Sequence, residues 1–337
     1  LELISSLEFA QLSPLLKERF DLPLDLKGMA NLTLVIHSEG AVNKISSIDG
    51  LLDIYSLDLN FVPKNLLFRD ISGRIRFDRE KITWNKVKFK FLEREYKSNG
   101  ILYTHKIPRI NFDLFSEDLS LEGNLKIENR IIRFTKLKGV YKDSKFSLIA
   151  NVDTGDLDLL YSQAKINMEL NLELLEEIFK NQTIKRINPQ GKLHLSMELE
   201  GPLRRIKDCT IKAEALSPQL SLFGLRLDSI SLDYFQSESR AYIRNLKGFF
   251  YEGNLLGEMK LDLDKDLNFN TQVSLSELRL EKLKLDTPFR QKNLSGKVSL
   301  NLNLSGQFKK IESLVGGGSL YIREANLWEI NLFKGLG

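Results

Sequence analysis

The residue types that most often carry out catalysis or bind metals are scarce and scattered in this sequence. The three histidines, His37, His105 and His194, are far apart, and two of them fall at polar positions of predicted strands. We interpret all three as solvated side chains. The single cysteine, Cys209, can neither form a disulfide within the chain nor build a multi-cysteine metal site.

Three short motifs resemble functional signatures but lack a required feature. Asp262 and the aspartates at 264 and 266 begin like a calcium loop, yet Leu267 and Val273 occupy the positions that need Gly and Glu. The glycines at 316–318 are not followed by Lys-Ser or Lys-Thr, so they predict a tight turn or bulge rather than a phosphate loop. Asn-x-Ser/Thr triplets begin at Asn31, Asn181, Asn293 and Asn303. Such triplets also arise by chance, and nothing else in the sequence indicates a glycosylating compartment.

Motif and composition together exclude several classes of protein. Because the sequence has no nucleophile elbow, zincin motif or glycine-rich dinucleotide turn, we expect no enzymatic activity, no cofactor and no metal. The 337 residues include 49 Lys and Arg against 45 Asp and Glu, and the two signs are interspersed. Nucleic acid would need a dense basic stripe, so we do not expect it as a partner.

The sequence also shows no segment of the kind that spans or targets a membrane. It has no run of about 18 apolar residues, and its start lacks the pattern of a signal peptide. Since the chain begins at Leu1 rather than Met, we expect it to be a piece of a longer protein.

The dominant pattern is an alternation of apolar and polar residues with a period of two. It predicts antiparallel strands, each with one apolar and one polar face. Turn residues separate these segments at intervals of roughly 8 to 12 residues, which gives on the order of 20 strands. The alternation defines three sets of apolar positions: Leu32, Leu34 and Ile36; Leu193, Leu195, Met197 and Leu199; and Val298, Leu300, Leu302 and Leu304.

Helical spacing is confined to a few places. Residues 6–20 and 172–184 carry apolar residues three and four apart, and Pro14 is expected in the first turn of its helix. The last ten residues are a candidate start of a third helix. The prediction is therefore an all-β chain with a few short helices.

One unit of sequence occurs three times, at residues 28–45, 191–206 and 296–311. Each copy has a glycine, an alternating strand, a second glycine, an apolar residue, a basic residue and an isoleucine, and each follows a leucine-rich stretch. The spacing between copies is uneven, so a regular solenoid is not indicated. Reuse of one β unit is typical of an extended body in which neighbouring units bury their faces against each other.

Two architectures satisfy this pattern. A β-sandwich of two sheets about 10 Å apart hides the apolar faces against each other. A single sheet that curls without closing leaves them as an open trough, which requires an apolar occupant such as acyl chains. Periodicity alone favours the sandwich.

The order of motifs over residues 246–337 is similar to that of a known family. It comprises a turn at Tyr251 and Gly253, an alternating segment at 257–263, a glycine-bounded strand at 296–306, the glycines at 316–318 and a helix start at 328–336. This segment resembles the C-terminal region of the AsmA-like superfamily of Gram-negative bacteria (the AsmA, TamB and YhdP types). Over residues 1–247 the similarity is looser and is carried by the repeated unit.

The resemblance implies one elongated, repeat-built β-groove of open U shape over residues 1–337. Its function would be that of a periplasmic, bridge-like protein that carries phospholipid between the inner and outer membranes. An inner-membrane anchor missing from this chain and membrane proteins docked at the two ends would complete it. We expect the three alternating sets defined above to bind the acyl chains. The alternative is a non-catalytic periplasmic scaffold or assembly factor for the outer membrane, with a closed core.

Overall fold

A computed structural model describes residues 1–20, 24–39, 44–62, 66–179, 187–263, 267–308 and 310–326. Nineteen antiparallel strands and a few short helices make up these residues, so the predicted all-β class is confirmed. The strands fall into two compact units, Leu1–Lys142 and Asp143–Gly337.

The first unit is a sheet in which each strand pairs with the next one along the chain. A 3₁₀ turn (Phe9–Gln11) and helix α1 (Leu12–Phe20) connect its first two strands. The strands are β1 (Glu2–Glu8), β2 (Leu24–Glu39), β3 (Lys44–Phe61), β4 (Leu66–Phe77), β5 (Lys81–Phe91), β6 (Arg94–Tyr103), β7 (Arg109–Phe115), β8 (Leu119–Glu128) and β9 (Ile131–Tyr141).

The second unit is built in the same way. Helix α2 (Leu174–Phe179) follows β11, a 3₁₀ turn (Leu203–Asp208) follows β12, and helix α3 (Leu280–Leu283) with a 3₁₀ turn (Lys284–Asp286) follows β17. The strands are β10 (Ser144–Asp153), β11 (Tyr161–Asn171), β12 (Gln190–Pro202), β13 (Thr210–Leu222), β14 (Leu225–Ser237), β15 (Arg240–Phe250), β16 (Gly253–Asp262), β17 (Asn268–Arg279), β18 (Ser295–Gln307) and β19 (Lys310–Asn326).

Each unit is a single open sheet over the residues that the structure describes. Its strands form one ladder of nearest neighbours, and no pairing joins β1 to β9 or β10 to β19. A β-sandwich would need a second sheet against the first, and neither unit contains one among these residues. The open sheet is therefore the correct alternative of the two.

The predicted helices are shorter than expected. Ser6 and Leu7 belong to β1, where they pair with Asn31 and Ala30 of β2, so the helical segment starts only at Phe9. Although the spacing of the apolar residues in this segment is helical, pairing with β2 determines that Ser6 and Leu7 adopt the strand conformation. Pro14 lies in the first turn of α1, as predicted. Of the predicted helix at 172–184, residues 174–179 are helical; residues 180–186 and the last ten residues lie outside the described part of the chain.

The glycines at 316–318 do not form a turn or bulge, and that prediction is wrong. They lie inside β19, where Gly316 and Gly318 pair with Leu304 and Leu302. A Cβ added at Gly316 would stand 2.2 Å from the carbonyl oxygen of Asn303. The glycines therefore allow the two backbones to approach closely within a continuous strand.

The threefold repeat of the sequence is also a structural repeat. A helical segment that connects two paired strands precedes each copy, and the first glycine of the copy sits at or beside a β-bulge with a left-handed backbone. The φ angles are 137° at Gly28, 108° at Gly191 and 132° at Gly296. Residues with a side chain rarely adopt such angles, which explains why glycine recurs there.

Buried side chains form small clusters beside the helical segments rather than one central core. In the first unit Phe9 packs with Leu26, Ile54 and Leu57 below α1. In the second unit the clusters centre on Leu172, next to α2, and on Tyr251 and Leu278, next to α3. No helix among the described residues has the length and apolar character needed to cross a bilayer.

Candidate functional site

The candidate site is the apolar face of each sheet, and in the second unit it is continuous. Starting from Met197, register partners run through Ala213, Tyr234 and Ile243 to Met259, Thr271 and finally Leu304. Because residues paired across a sheet point to the same side, the second and third predicted sets lie on one face. The structure thus places on one face two sets of residues, in β12 and β18, that are about a hundred positions apart in the sequence.

Most of the predicted residues on this face are only partly buried. Leu193, Leu195 and Met197 are partly exposed, and so are all four members of the β18 set, Val298 to Leu304. Leu199 is the exception: it is 7% exposed and packs with Cys209 and Ile211. Apolar side chains that alternate strictly and yet remain partly exposed form a surface without a covering layer.

In the first unit the first set, Leu32, Leu34 and Ile36, lies on the apolar face of β2 and is also partly exposed. From Leu32 in β2 one register row runs across every following strand of the unit and ends at Leu137 in β9. Its members are Leu32, Leu52, Ile75, Trp84, Gly100, Phe112, Gly123 and Leu137.

Sequence reasoning missed a set of aromatic residues on this face. Phe77, Trp84 and Phe112 each lie opposite a glycine on the neighbouring strand, and each ring covers that glycine. A Cβ added at Gly100 would stand 2.1 Å from Cζ2 of Trp84. The rings therefore lie low across the sheet instead of standing above it. An aromatic–glycine pair is a known cross-strand arrangement, but it needs the register to be recognised.

The two ends of the strands in the second unit differ. At one end, which we call the helical rim, α2 and α3 follow β11 and β17, and their leucines pack onto the apolar face; Leu172 and Leu174 are buried. At the other end, the open rim, β12 is followed by the Leu203–Asp208 turn, whose Leu203 and Ile206 point to solvent and are 40% and 52% exposed. Leucines of the helical segments therefore cover the helical rim, whereas at the open rim Leu199, Cys209 and Ile211 form the packed cluster and the turn's own Leu203 and Ile206 stay exposed.

A buried tyrosine fixes the segment after α3 at the helical rim. The Tyr251 hydroxyl donates to the Asp286 carboxylate at 2.8 Å and accepts from the Arg226 backbone N–H at 3.1 Å. Burial and the nearby Asp286 carboxylate raise the pKa of Tyr251 to about 12, with burial the larger cause. The hydroxyl thus stays neutral and keeps both hydrogen bonds over the physiological range.

The opposite, polar face carries charged side chains that pair across strands. Lys165 donates to Glu198 at 2.7 Å, which raises the pKa of the Lys165 ammonium and lowers the pKa of the Glu198 carboxyl. His194 is exposed on this face, and His37 lies 3.1 Å from an Asp49 carboxylate oxygen. Such exposed pairs contribute little to stability and are typical of a solvated surface.

Groups for metal or covalent chemistry do not assemble within the described residues. No group of three or more His, Cys, Asp or Glu side chains there could hold a metal ion. Asp262 ends β16, while the aspartates at 264 and 266 lie outside the described chain. Cys209 is fully buried, and burial raises the pKa of its thiol.

Comparison with protein-family models, with curated proteins and with solved structures finds no match to this chain. Membership of the AsmA-like superfamily therefore stays a prediction that rests on the motifs of residues 246–337.

Proposed function

We propose that this chain is part of a periplasmic, bridge-like lipid-transfer protein that carries phospholipid between two membranes along the apolar faces of its sheets. The observation that carries the proposal is the partial exposure of the alternating apolar side chains of β11, β12 and β18, although the smaller inward residues of β13 between them are buried. An uncovered apolar surface of this extent calls for an apolar occupant, and acyl chains have the matching chemistry. The cellular setting rests on the sequence resemblance alone.

The proposed mechanism needs no covalent step. Apolar contacts contribute about 25 cal/mol per Å² of buried area and have no preferred direction, so an acyl chain can move along the face without a deep energy minimum. Flat rings over Gly50, Gly100 and Gly123, and the small side chains of Ala213 and Ala215, keep the surface low. Because few side chains protrude from this surface, an acyl chain can slide along it instead of being held at one position.

The first experiment is native mass spectrometry with lipid extraction on the purified chain, with a lipid-free β-sandwich protein as the control. We expect phospholipid at one or more copies per chain. A folded chain that carries no lipid and takes none up from vesicles would overturn the proposal and favour the scaffold alternative.

A second experiment reads the position of the lipid in the first unit. Trp84 and Trp328 are the two tryptophans of the chain, so Trp328→Phe leaves Trp84 as the only reporter. Phospholipids with brominated acyl chains should quench Trp84 emission, whereas their unbrominated counterparts should not. Bound lipid without quenching of Trp84 would contradict binding on this apolar face.

A further inference from the structure

The open rim of the second unit carries a basic turn at the end of the β12 set of apolar positions. The Leu203–Asp208 turn contains Arg204, Arg205 and Lys207 against one carboxylate, Asp208. All four side chains are exposed. The turn directly follows β12, whose set from Leu193 to Leu199 spans about 20 Å at 3.3 Å per residue.

The opposite end of β12 carries charges of both signs, with three glutamates and three cations over residues 173–186. Helix α2, which precedes β12 at the helical rim, carries Glu173 beside it and Glu177 within it, and both are exposed. Leu172 and Leu174 of this segment are buried, and Leu172 packs with Leu220 and Ile230 of the apolar face. The helical rim is therefore covered by leucine side chains and carries charges of both signs, whereas the Leu203–Asp208 turn carries an excess of cations.

The cations of the turn are held loosely. Arg204 lies 3.6 Å from Asp158, and Arg205 lies 3.7 Å from Asp208. Both distances exceed that of a hydrogen bond, and exposed pairs of this kind are weak. A phosphate can replace these carboxylates, because guanidinium groups bind phosphate oxygens in a bidentate manner.

The apolar face itself becomes polar toward this rim. Along β14 the inward positions change from Ile230 and Leu232 to Tyr234 and Gln236. The Gln236 side-chain amide donates to the Ile206 carbonyl at 2.6 Å, and the Tyr234 hydroxyl donates to Gln236 at the same distance. These bonds fix the turn against the sheet, so its cations are held near the end of the apolar face.

From this asymmetry we infer that a phospholipid on the second unit lies with its acyl chains toward the helical rim and its phosphate at the open rim, bound by Arg204, Arg205 and Lys207. The inference rests on the proposed function and adds to it a headgroup site and an orientation. It names the ligand class as glycerophospholipids with an anionic phosphate, as opposed to neutral diacylglycerol.

The test compares two lipids that share their acyl chains, phosphatidylglycerol and diacylglycerol, on the full chain and on Arg204→Gln/Arg205→Gln/Lys207→Gln. We expect the triple variant to bind phosphatidylglycerol about tenfold more weakly, which is the combined effect of losing three exposed charged contacts that are each weak. Its affinity for diacylglycerol should not change. The matched control, Lys282→Gln/Arg290→Gln/Lys292→Gln, removes the same charge at the helical rim and should bind both lipids like the parent chain.

The outcomes separate the two proposals. If neither lipid binds the parent chain, the proposed function fails. If both bind but the triple variant and the control behave alike, lipid binding stands and the headgroup site is overturned. Glycerol phosphate without acyl chains is the third probe; binding of this probe that the triple variant abolishes would show a free-phosphate site and would also overturn the inference.

Orientation is measured separately with a phospholipid that carries a nitroxide on its headgroup. Ile206→Trp at the open rim and Phe223→Trp at the helical rim, each in a chain with Trp84→Phe and Trp328→Phe, replace side chains that are 52% and 66% exposed. We expect strong quenching at position 206 and weak quenching at position 223. Equal or reversed quenching would overturn the assigned orientation.

Discussion

The indole ring of Trp84 lies directly over Gly100 on the neighbouring strand, so that an added Cβ at Gly100 would stand 2.1 Å from Cζ2 of the ring. The indole N–H also donates to the Ser98 hydroxyl at 2.9 Å. Ring and glycine thus form one unit of the apolar face, in which the missing side chain makes room for the aromatic one.

This relationship predicts that Gly100→Ala displaces the ring. We expect a loss of about 1 to 3 kcal/mol in the free energy of unfolding, the usual cost of overpacking, and a red shift of Trp84 emission in the Trp328→Phe background. The control is Gly317→Ala, because Gly317 has no neighbouring atom within 4 Å of an added Cβ. It should change stability by less than about 0.5 kcal/mol. Equal effects of the two changes would contradict the packing described here.

An uncovered face predicts that polar substitutions on it are tolerated by the fold. Leu195→Asp and Leu302→Asp should each cost about 1 kcal/mol of stability and yet abolish most lipid binding, because both side chains are partly exposed. Leu278, which is 3% exposed beside α3, is the matched buried position. Leu278→Asp should prevent cooperative folding, since it buries an unpaired carboxylate. Thermal unfolding and lipid content, measured on the same samples, separate a loss of lipid binding from a loss of folding. If Leu195→Asp destabilises the chain as much as Leu278→Asp does, the core is closed and the face is not open to lipid.

The first glycine of each repeat is needed for two reasons, its left-handed backbone angle and the lack of space for a Cβ atom. At Gly191, with φ 108°, an added Cβ would stand 2.5 Å from the carbonyl oxygen of Gln219. At Gly224, with φ 77°, the same atom meets nothing within 4 Å. Gly224→Ala should therefore cost about 1 to 2 kcal/mol from backbone strain alone, and Gly191→Ala clearly more. Denaturant unfolding of both variants gives the comparison, and a smaller loss for Gly191→Ala would refute the close approach.

The raised pKa of Tyr251 predicts a loss of stability at alkaline pH. Because the folded state holds the pKa at about 12, the unfolded chain releases this proton first, near pH 10. The stabilisation is complete below pH 10 and declines as the pH rises toward 12. Tyr251→Phe should flatten this part of the stability profile, although it loses the hydrogen bond to Asp286. The control is Tyr321→Phe, because Tyr321 is 63% exposed; this variant should show the same decline of stability with pH as the parent chain. If Tyr251→Phe also shows that decline, the loss of stability does not come from Tyr251.

Much of the fold follows from local pattern. The period of two at Leu193, Leu195 and Met197 fixed which side chains share a face, because successive residues of a strand point to opposite sides. The recurring glycines identified the repeat, since the left-handed angles at Gly28, Gly191 and Gly296 are open to few other residues. The limits of helix 6–20 were missed because Ser6 and Leu7 are paired with a strand more than twenty residues away.

Other features depend on residues that only the folded sheet brings together. Trp84 and Gly100 become neighbours through strand register, and no local pattern links them. The glycines at 316–318 could be assigned to a strand only when their partners Leu302 and Leu304 were known.

The sequence by itself thus determined the strands, their two faces and the repeat, because these depend on contacts within a few residues. Only the tertiary structure decided that the apolar face is uncovered and that its two rims differ. Alternation records which side of a strand a residue occupies but not what lies above that side, so a sandwich and an open sheet share one sequence pattern. That distinction is set by long-range pairing, and on it the proposed lipid-binding surface depends.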